Sequence, residues 1–180
     1  MIPVPHVTRA DLARTFAAYG YRYGAEIGTE RGLYAEVLCQ ANPGLRLMCV
    51  DAWKAYKGYR EHVTQAKLDG FYAETQARLA PYGCACVRAF SVEAAQNVSD
   101  GSLDFIYLDA NHTYPQVEAD LHAWVPKVRR GGMVAGHDFC RRKNMDFGVI
   151  EAVTNYTNEH SIDPWWVLTG DNSPSWAWVN

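Results

Sequence analysis

The hydrophobic residues of this chain follow two alternating patterns. Short apolar runs bounded by turn residues are typical of buried strands, and they are separated by segments whose apolar residues recur every three or four positions, as in amphipathic helices. Strands that alternate with helices indicate a mainly parallel sheet with helices on both faces. We therefore predict an α/β protein with a doubly wound sheet of about seven strands.

Glycine, proline and capping residues set the boundaries of the predicted elements. Thr8 and Asp11 have the spacing of a capping box at the start of the first helix. The turn residues 169–174 predict a hairpin, so the last strand is expected to be antiparallel. The strands are predicted to end at Ile27 and then to span 45–50, 84–90, 103–108, 133–135, 165–168 and 176–179. The helices are predicted at 8–19, after Gly32, at 71–79, from Ser91, at 114–128 and at 147–159.

We interpret the 180 residues as a single domain, with 1–22 as an N-terminal helix or lid and 23–180 as the core. The aromatic and charged segment 53–70 shows no strand pattern and is a candidate flap over a ligand. The charged linker 141–146 is a candidate gate. Its basic residues either bind an acidic substrate or form an ordinary solvated charge run.

Composition argues against several classes of protein. A net charge of −3 gives no basic surface for nucleic acid. No apolar run reaches the ~20 residues of a membrane span, and residues 1–10 lack the basic start and apolar core of a signal peptide. The five cysteines are an odd number without a CxxC pair. We therefore expect a cytoplasmic protein with reduced thiols that binds neither nucleic acid nor membranes.

A glycine turn follows the first strand, in the sequence YGAEIGTERGLYA at 23–35. Glycine lets the backbone turn sharply and lets a ligand approach it closely. Only Gly28 and Gly32 are present here, whereas dinucleotide binding needs GxGxxG and a phosphate loop needs GxxxxGK followed by Ser or Thr. We therefore expect a ligand at the carboxyl end of this strand that is not held by its phosphates.

Three motifs resemble those of one enzyme family. The sequence EIGTERG resembles motif I of the class I S-adenosylmethionine (SAM)-dependent methyltransferases, in the form of the catechol-type O-methyltransferases. The segments DGSLDFIYLDANHTY and RGGMVAGHDF resemble the ends of the fourth and fifth strands in small-molecule O-methyltransferases of the catechol-type and macrocin-type branch. The resemblance covers residue 25 to the C-terminus and implies a Rossmann-like seven-stranded sheet, mostly parallel with an antiparallel C-terminal strand.

The resemblance also implies a SAM site at the carboxyl ends of strands one, two and four. It places Glu26 near the methionine part, Asp51 at both ribose hydroxyls, and Ser91 and Val92 at adenine. The residues expected to contact SAM are Glu26, Gly28, Thr29, Gly32, Asp51, Ala52, Trp53, Ser91, Val92, Asp109, Ala110 and His112.

For four aromatic and polar residues, a local structural role remains an alternative to ligand binding. Asp51 could instead be a helix N-cap or a turn aspartate, and Ser91 could be a plain N-cap. Trp53 and Tyr56 either stack on adenine or on the substrate, or they pack a helix.

The resemblance further implies a catalytic cluster at the ends of strands four and five. In the metal-dependent relatives, three side chains here hold Mg²⁺, and Asp109, His137 and Asp138 occupy those positions. Imidazole suits Zn²⁺, Mn²⁺ or Fe²⁺ better than Mg²⁺. Without a metal, His137 or His112 would act as the general base, because the ordinary pKa of histidine lies near the working pH.

The hypothesis is methyl transfer from SAM, by in-line displacement, to an oxygen of a small molecule such as a sugar or phenol. One alternative is a SAM-binding module without catalysis, which would not need the cluster. Another is a nucleotide-dependent oxidoreductase, which would need more glycines. Because long N-terminal helices that usually build an acceptor pocket are missing, we expect an acceptor site shared across a homodimer or a large substrate on an open face.

Overall fold

The computed structural model describes residues 1–56, 62–143 and 146–180, and these form eight β-strands and six α-helices. The strands are β1 (Ile2–Val4), β2 (Tyr23–Ile27), β3 (Arg46–Asp51), β4 (Ala85–Arg88), β5 (Leu103–Leu108), β6 (Val128–Gly136), β7 (Trp166–Leu168) and β8 (Ser175–Val179). The helices are α1 (Arg9–Ala18), α2 (Leu33–Ala41), α3 (Gln65–Leu79), α4 (Ser91–Ala95), α5 (Tyr114–Trp124) and α6 (Val149–Glu159). Short 3-10 helices follow α3 and α5 at Ala80–Tyr82 and Val125–Lys127.

All eight strands belong to one sheet in the order β1-β7-β8-β6-β5-β2-β3-β4. Strand β8 is antiparallel to both neighbours, and every other pair in the sheet is parallel. The predicted doubly wound α/β sheet with an antiparallel C-terminal strand is therefore confirmed. The predicted number of seven strands is wrong, because β1 pairs with β7 at the sheet edge. Its three residues include Pro3, and such a short edge strand leaves no alternating pattern to read.

Among the other boundaries, two differ most from the prediction. Strand β6 begins at Val128, before the glycine pair that was expected to break the chain, since Gly131 takes a φ of +74° and the register shifts there without ending the strand. Helix α3 begins at Gln65, inside the predicted flap, where the Thr64 hydroxyl accepts a hydrogen bond from the Lys67 N–H. Residues 57–61 of that flap lie outside the described residues, as do residues 144–145 of the predicted gate.

The helices cover the two faces of the sheet in groups of three. Helices α1, α2 and α3 cover one hydrophobic core, which includes Leu12, Leu38 and Leu79. Helices α4, α5 and α6 cover the other core, which includes Ala94, Leu121 and Val153. The predicted capping box holds the start of α1. Within the described ranges, no helix has the length and apolar character needed to cross a membrane.

Candidate active site

A cavity of about 280 Å³ lies at the carboxyl ends of β2, β3, β4 and β5. This is the edge of an open α/β sheet where ligands usually bind. Its size is near the lower end of small-molecule sites. The predicted residues that line it are Gly28, Asp51, Ala52, Ser91, Val92, Asp109 and Ala110. The sequence therefore predicted much of the wall of this cavity.

The ends of β2 and β5 touch at Gly28. This glycine has a φ of +95°, and a Cβ atom added to it would lie 2.1 Å from the carbonyl oxygen of Asp109. The Gly28 N–H donates to Val50 O at 2.8 Å, and the Asp109 N–H donates to Ile27 O at 2.7 Å. The floor of the cavity is thus backbone, and only glycine fits there.

Asp51 bridges the glycine turn and the loop that follows β3. One carboxylate oxygen accepts from the Glu30 N–H at 2.9 Å, and the other accepts from the Trp53 N–H at 2.7 Å. Asp51 is therefore a turn aspartate, one of its two predicted alternatives, and it also lines the cavity. Because a carboxylate oxygen can accept more than one hydrogen bond, the turn contacts are compatible with ligand binding.

The two aromatic residues after β3 have different positions. The Trp53 side chain is buried, its indole N–H donates to Glu30 O at 2.6 Å, and its ring packs 4.7 Å from that of Tyr72. It is not among the residues that line the cavity, and its ring packs against a residue of α3, which is the packing alternative predicted for it. Tyr56 does line the cavity, and its hydroxyl accepts from Asn111 Nδ2 at 3.2 Å.

Four further predicted contacts also lie outside the cavity lining: His112, which is described with the polar cluster below, and the residues of the glycine turn, Glu26, Thr29 and Gly32. Glu26 is buried on the opposite face of β2 from Ala25 and Ile27, since side chains alternate along a strand. Burial raises the pKa of Glu26 well above its ordinary value, and its Oε2 has no hydrogen-bond partner among the described residues. Gly32 forms the left-handed N-cap of α2, so these residues shape the turn behind the cavity.

Ser91 is the first residue of α4, and the N-cap is Phe90 rather than Ser91. The Ser91 hydroxyl oxygen accepts from the Trp124 indole N–H at 2.9 Å, and the Ser91 hydroxyl lowers the pKa of Asp120. The serine side chain therefore links α4 to α5 while it lines the cavity next to Val92.

Asp120 is a cavity residue that the sequence reading missed. It is 5% exposed, and burial raises its pKa to about 7, against the smaller lowering effect of the Ser91 hydroxyl. A signal was available, because Asp120 falls on the same helical face as Val117, Leu121 and Trp124. An acid on the buried face of an amphipathic helix needs a specific reason to be there.

The predicted catalytic residues lie together beside the cavity. His112 Nε2 is 3.3 Å from Asp109 Oδ1 and 3.1 Å from Asp138 Oδ2. His137 Nδ1 is 3.6 Å from Asp109 Oδ2 and 3.4 Å from Asp138 Oδ2. Two carboxylates thus share two imidazoles, with Asp109 common to this cluster and to the cavity wall.

The charges in this cluster alter its proton affinities. Burial alone lowers the pKa of His112, but hydrogen bonds to Asp109 and Asp138 outweigh it and raise that pKa to about 9. Burial raises the pKa of Asp138, but hydrogen bonds from both histidines hold it well below its usual range. The general-base prediction for His112 rests on an ordinary histidine pKa, and in this arrangement the two carboxylates raise that pKa.

Three of these residues have the donor chemistry of a metal site. Asp109, His137 and Asp138 each offer one ligand atom, and these atoms lie within 4.8 Å of one another. Two carboxylates with one imidazole fit Mn²⁺, Fe²⁺ or Zn²⁺, and carboxylates also suit Mg²⁺. The donor set therefore fits a divalent cation.

Basic residues from two distant segments reach the same cluster. Arg9, at the start of α1, has Nη1 4.0 Å from Asp109 Oδ2. Arg142, in the predicted gate, donates to Asp138 at 3.0 Å and to the Ser173 hydroxyl at 2.5 Å. Arg142 is therefore not simply solvated, because it joins this segment to Asp138 of the cluster and to Ser173.

Comparison with known proteins gives a family for this arrangement. Residues 25–139 match a family described as a methyltransferase domain, a match that covers more than half of the chain. An uncharacterized protein of Sinorhizobium fredii, y4gI, is 31% identical over 136 residues, which is 69% of this chain and 14% of that protein. The chain therefore spans only a small part of this relative.

Solved structures share the fold at low sequence identity. An O-methyltransferase from Bacillus cereus in complex with S-adenosylhomocysteine (SAH) has a TM-score of 0.65 at 14% identity, covering 96% of this chain and 80% of the other. The O-methyltransferase TomG from Streptomyces achromogenes, in complex with SAM, has a TM-score of 0.62 at 17% identity, covering 96% of this chain and 79% of the other. The N-methyltransferase NodS from Bradyrhizobium japonicum has a TM-score of 0.65 at 15% identity, covering 96% of this chain and 94% of the other. With its family match, sheet order and strand-end cavity, the chain belongs to the methyltransferase domain family.

Proposed function

We propose that the protein transfers the methyl group of SAM to an oxygen of a hydroxylated small molecule, such as a sugar or a phenol. The observation that carries this proposal is the position of Asp109, which lines the cavity and also joins the cluster of His112, His137 and Asp138. A cofactor site and a polar reaction site thus share one residue. A binding module without catalysis would not need this second site.

The cavity residues fit SAM. The backbone floor at Gly28 permits close approach of a ligand, and Asp51 offers the acceptor oxygens that a ribose diol requires. When bound there, SAM supplies a methyl group on a cationic sulfur that a nucleophile can attack. The SAH and SAM complexes of the two similar O-methyltransferases support the same type of cofactor here.

The main contribution of the chain would be to position the two reactants. The cluster lies at the ends of β5 and β6, next to the cavity, so an acceptor bound there would face the cofactor across Asp109. Holding two reactants in line can contribute ~7–11 kcal/mol toward the barrier. Phe147 stacks on the His112 ring at 4.9 Å and gives the acceptor side an apolar wall.

Activation of the acceptor hydroxyl is assigned to His137 with Asp109 and Asp138. A divalent cation held by these three residues would lower the pKa of a bound hydroxyl. His112 is assigned a different role, because its shared proton offsets the negative charge of the two carboxylates. These assignments favour oxygen over carbon acceptors, and they favour substrates with neighbouring hydroxyls.

The experiment is transfer of radiolabelled methyl from SAM to a panel of catechols, glycosides and primary amines, with EDTA, Mg²⁺ or Mn²⁺. We expect label on hydroxylated acceptors and a loss of about 100-fold or more in His137→Ala and Asp138→Asn. His122→Ala is the matched control, since His122 is exposed on α5 outside the site. Label only on amines, or full activity in both site variants, would contradict the proposal.

A further inference from the structure

We propose that Asp120 determines cofactor specificity by accepting a hydrogen bond from the exocyclic amino group of adenine. This inference rests on the proposed function, because it concerns the nucleoside part of the same cofactor. It adds a residue from α5, outside the strand-end motifs, to the binding site.

The position of Asp120 is unusual for an acid. Its side chain is 5% exposed, yet it lines the cavity. Among the residues that the structure describes, no basic side chain forms an ion pair with it. A buried acid without a cation is costly unless hydrogen bonds compensate for the loss of water. A donor from a ligand in the cavity would supply that compensation.

The Ser91 hydroxyl is the polar neighbour of the Asp120 carboxyl group, and it lowers the pKa of that carboxyl group. The Trp124 indole N–H donates to the Ser91 oxygen at 2.9 Å, and Trp124 itself has no exposed surface, so the position of the Ser91 side chain is fixed. Because a carboxylate has two acceptor oxygens, Asp120 keeps acceptor capacity toward the cavity that it lines.

The surrounding wall fits a flat, weakly polar ring. Ile27, Val50, Ala89 and Val92 line the same cavity, while Asp51 occupies the β3 end where the diol would bind. Adenine carries an amino donor at its six position, and hypoxanthine carries a carbonyl acceptor there. An acceptor fixed at Asp120 therefore favours the adenine nucleoside and rejects its deaminated form.

The test is calorimetric binding of SAH and of S-inosylhomocysteine to the full chain and to Asp120 variants at about pH 8.5, where the Asp120 carboxyl group, with a pKa of about 7, is ionised and only accepts. The wild type should bind SAH about 10-fold or more tightly than S-inosylhomocysteine, because the inosine carbonyl would place a second acceptor next to the Asp120 carboxylate. Asp120→Ala should weaken SAH binding by roughly 10-fold and bring the ratio of the two affinities near one. Asp120→Asn should keep part of the preference, because its amide oxygen still accepts.

A purely structural role of Asp120 would give a different result. If Asp120→Ala weakens both ligands equally and leaves their ratio unchanged, the inference is overturned while the proposed cofactor stands. If the folded wild type binds neither ligand, the proposed cofactor itself fails, and the inference fails with it. Asp100→Ala is the matched control, since Asp100 lies at the opposite end of the sheet, before β5, with an exposed side chain.

Discussion

Gly28 and Asp109 meet where β2 and β5 end, so closely that a Cβ atom on residue 28 would lie 2.1 Å from the Asp109 carbonyl oxygen. This contact joins the floor of the cavity to Asp109, the first residue of the cluster that also contains His112, His137 and Asp138. The position of this cluster relative to the cavity is therefore set by backbone contact, which is more rigid than a side-chain contact.

The first prediction concerns the cost of a side chain at Gly28. Gly28→Ala should destabilise the fold by more than Gly20→Ala, because both glycines have positive φ but no atom lies within 4 Å of a Cβ added at Gly20. The control, Gly20→Ala, should lose about 1–2 kcal/mol of unfolding free energy from backbone strain alone. Urea unfolding measures the free energy of unfolding of both variants. Equal losses would show that the backbone contact at Asp109 is not tight.

The second prediction concerns the pH dependence of stability at Asp120. Its pKa is about 7 in the fold and 3.8 ordinarily, so between these values the folded state holds a proton that the unfolded state has lost. Stability from this group is present below pH 4 and is lost as pH rises toward 7. Replacement by Asn removes this loss.

Asp120→Asn should therefore gain stability relative to wild type as pH rises, by roughly 4 kcal/mol between pH 4 and 8. Urea unfolding at several pH values measures the difference. Asp100→Asn, at an exposed position, should show little such change. A constant difference between Asp120→Asn and wild type across this range would mean that the carboxyl group is ionised in the fold at all these pH values.

The elements with strong local signals were predictable from sequence. Strand β5 spans Leu103–Leu108 as predicted, because an apolar run lies between a turn and Asp109. The cluster of Asp109, His112, His137 and Asp138 was expected from the family resemblance of the two strand-end segments, and the structure brings these residues together where β5 and β6 end.

Features that depend on long-range packing were not predictable. Strand β1 depends on an edge supplied by β7, more than 160 residues later. Trp53 could pack or stack, and the choice depends on Tyr72 and on the Glu30 carbonyl. The pKa of Asp120 depends on its burial and on Ser91, which belongs to another helix. A linear pattern contains none of these contacts.

The third prediction concerns a divalent cation at the cluster. Mn²⁺ should bind the wild type, and Asp138→Asn or His137→Ala should weaken binding by about 10-fold or more, because each removes one of three ligand atoms. Calorimetry and the electron paramagnetic resonance of free Mn²⁺ measure this. His122→Ala should leave the affinity unchanged. Equal binding by wild type and both site variants would place the ion elsewhere.

The measurement that tests the central claim most directly is calorimetric titration of SAM into the wild type and into Asp51→Asn. The account predicts a dissociation constant in about the micromolar range for the wild type. It predicts binding weaker by about 10-fold or more for Asp51→Asn, which loses a charged acceptor at the end of β3. Asp100→Asn should bind like the wild type. A folded wild type that binds no SAM, or an Asp51→Asn variant that binds it equally well, would contradict the assignment of this cavity to the cofactor.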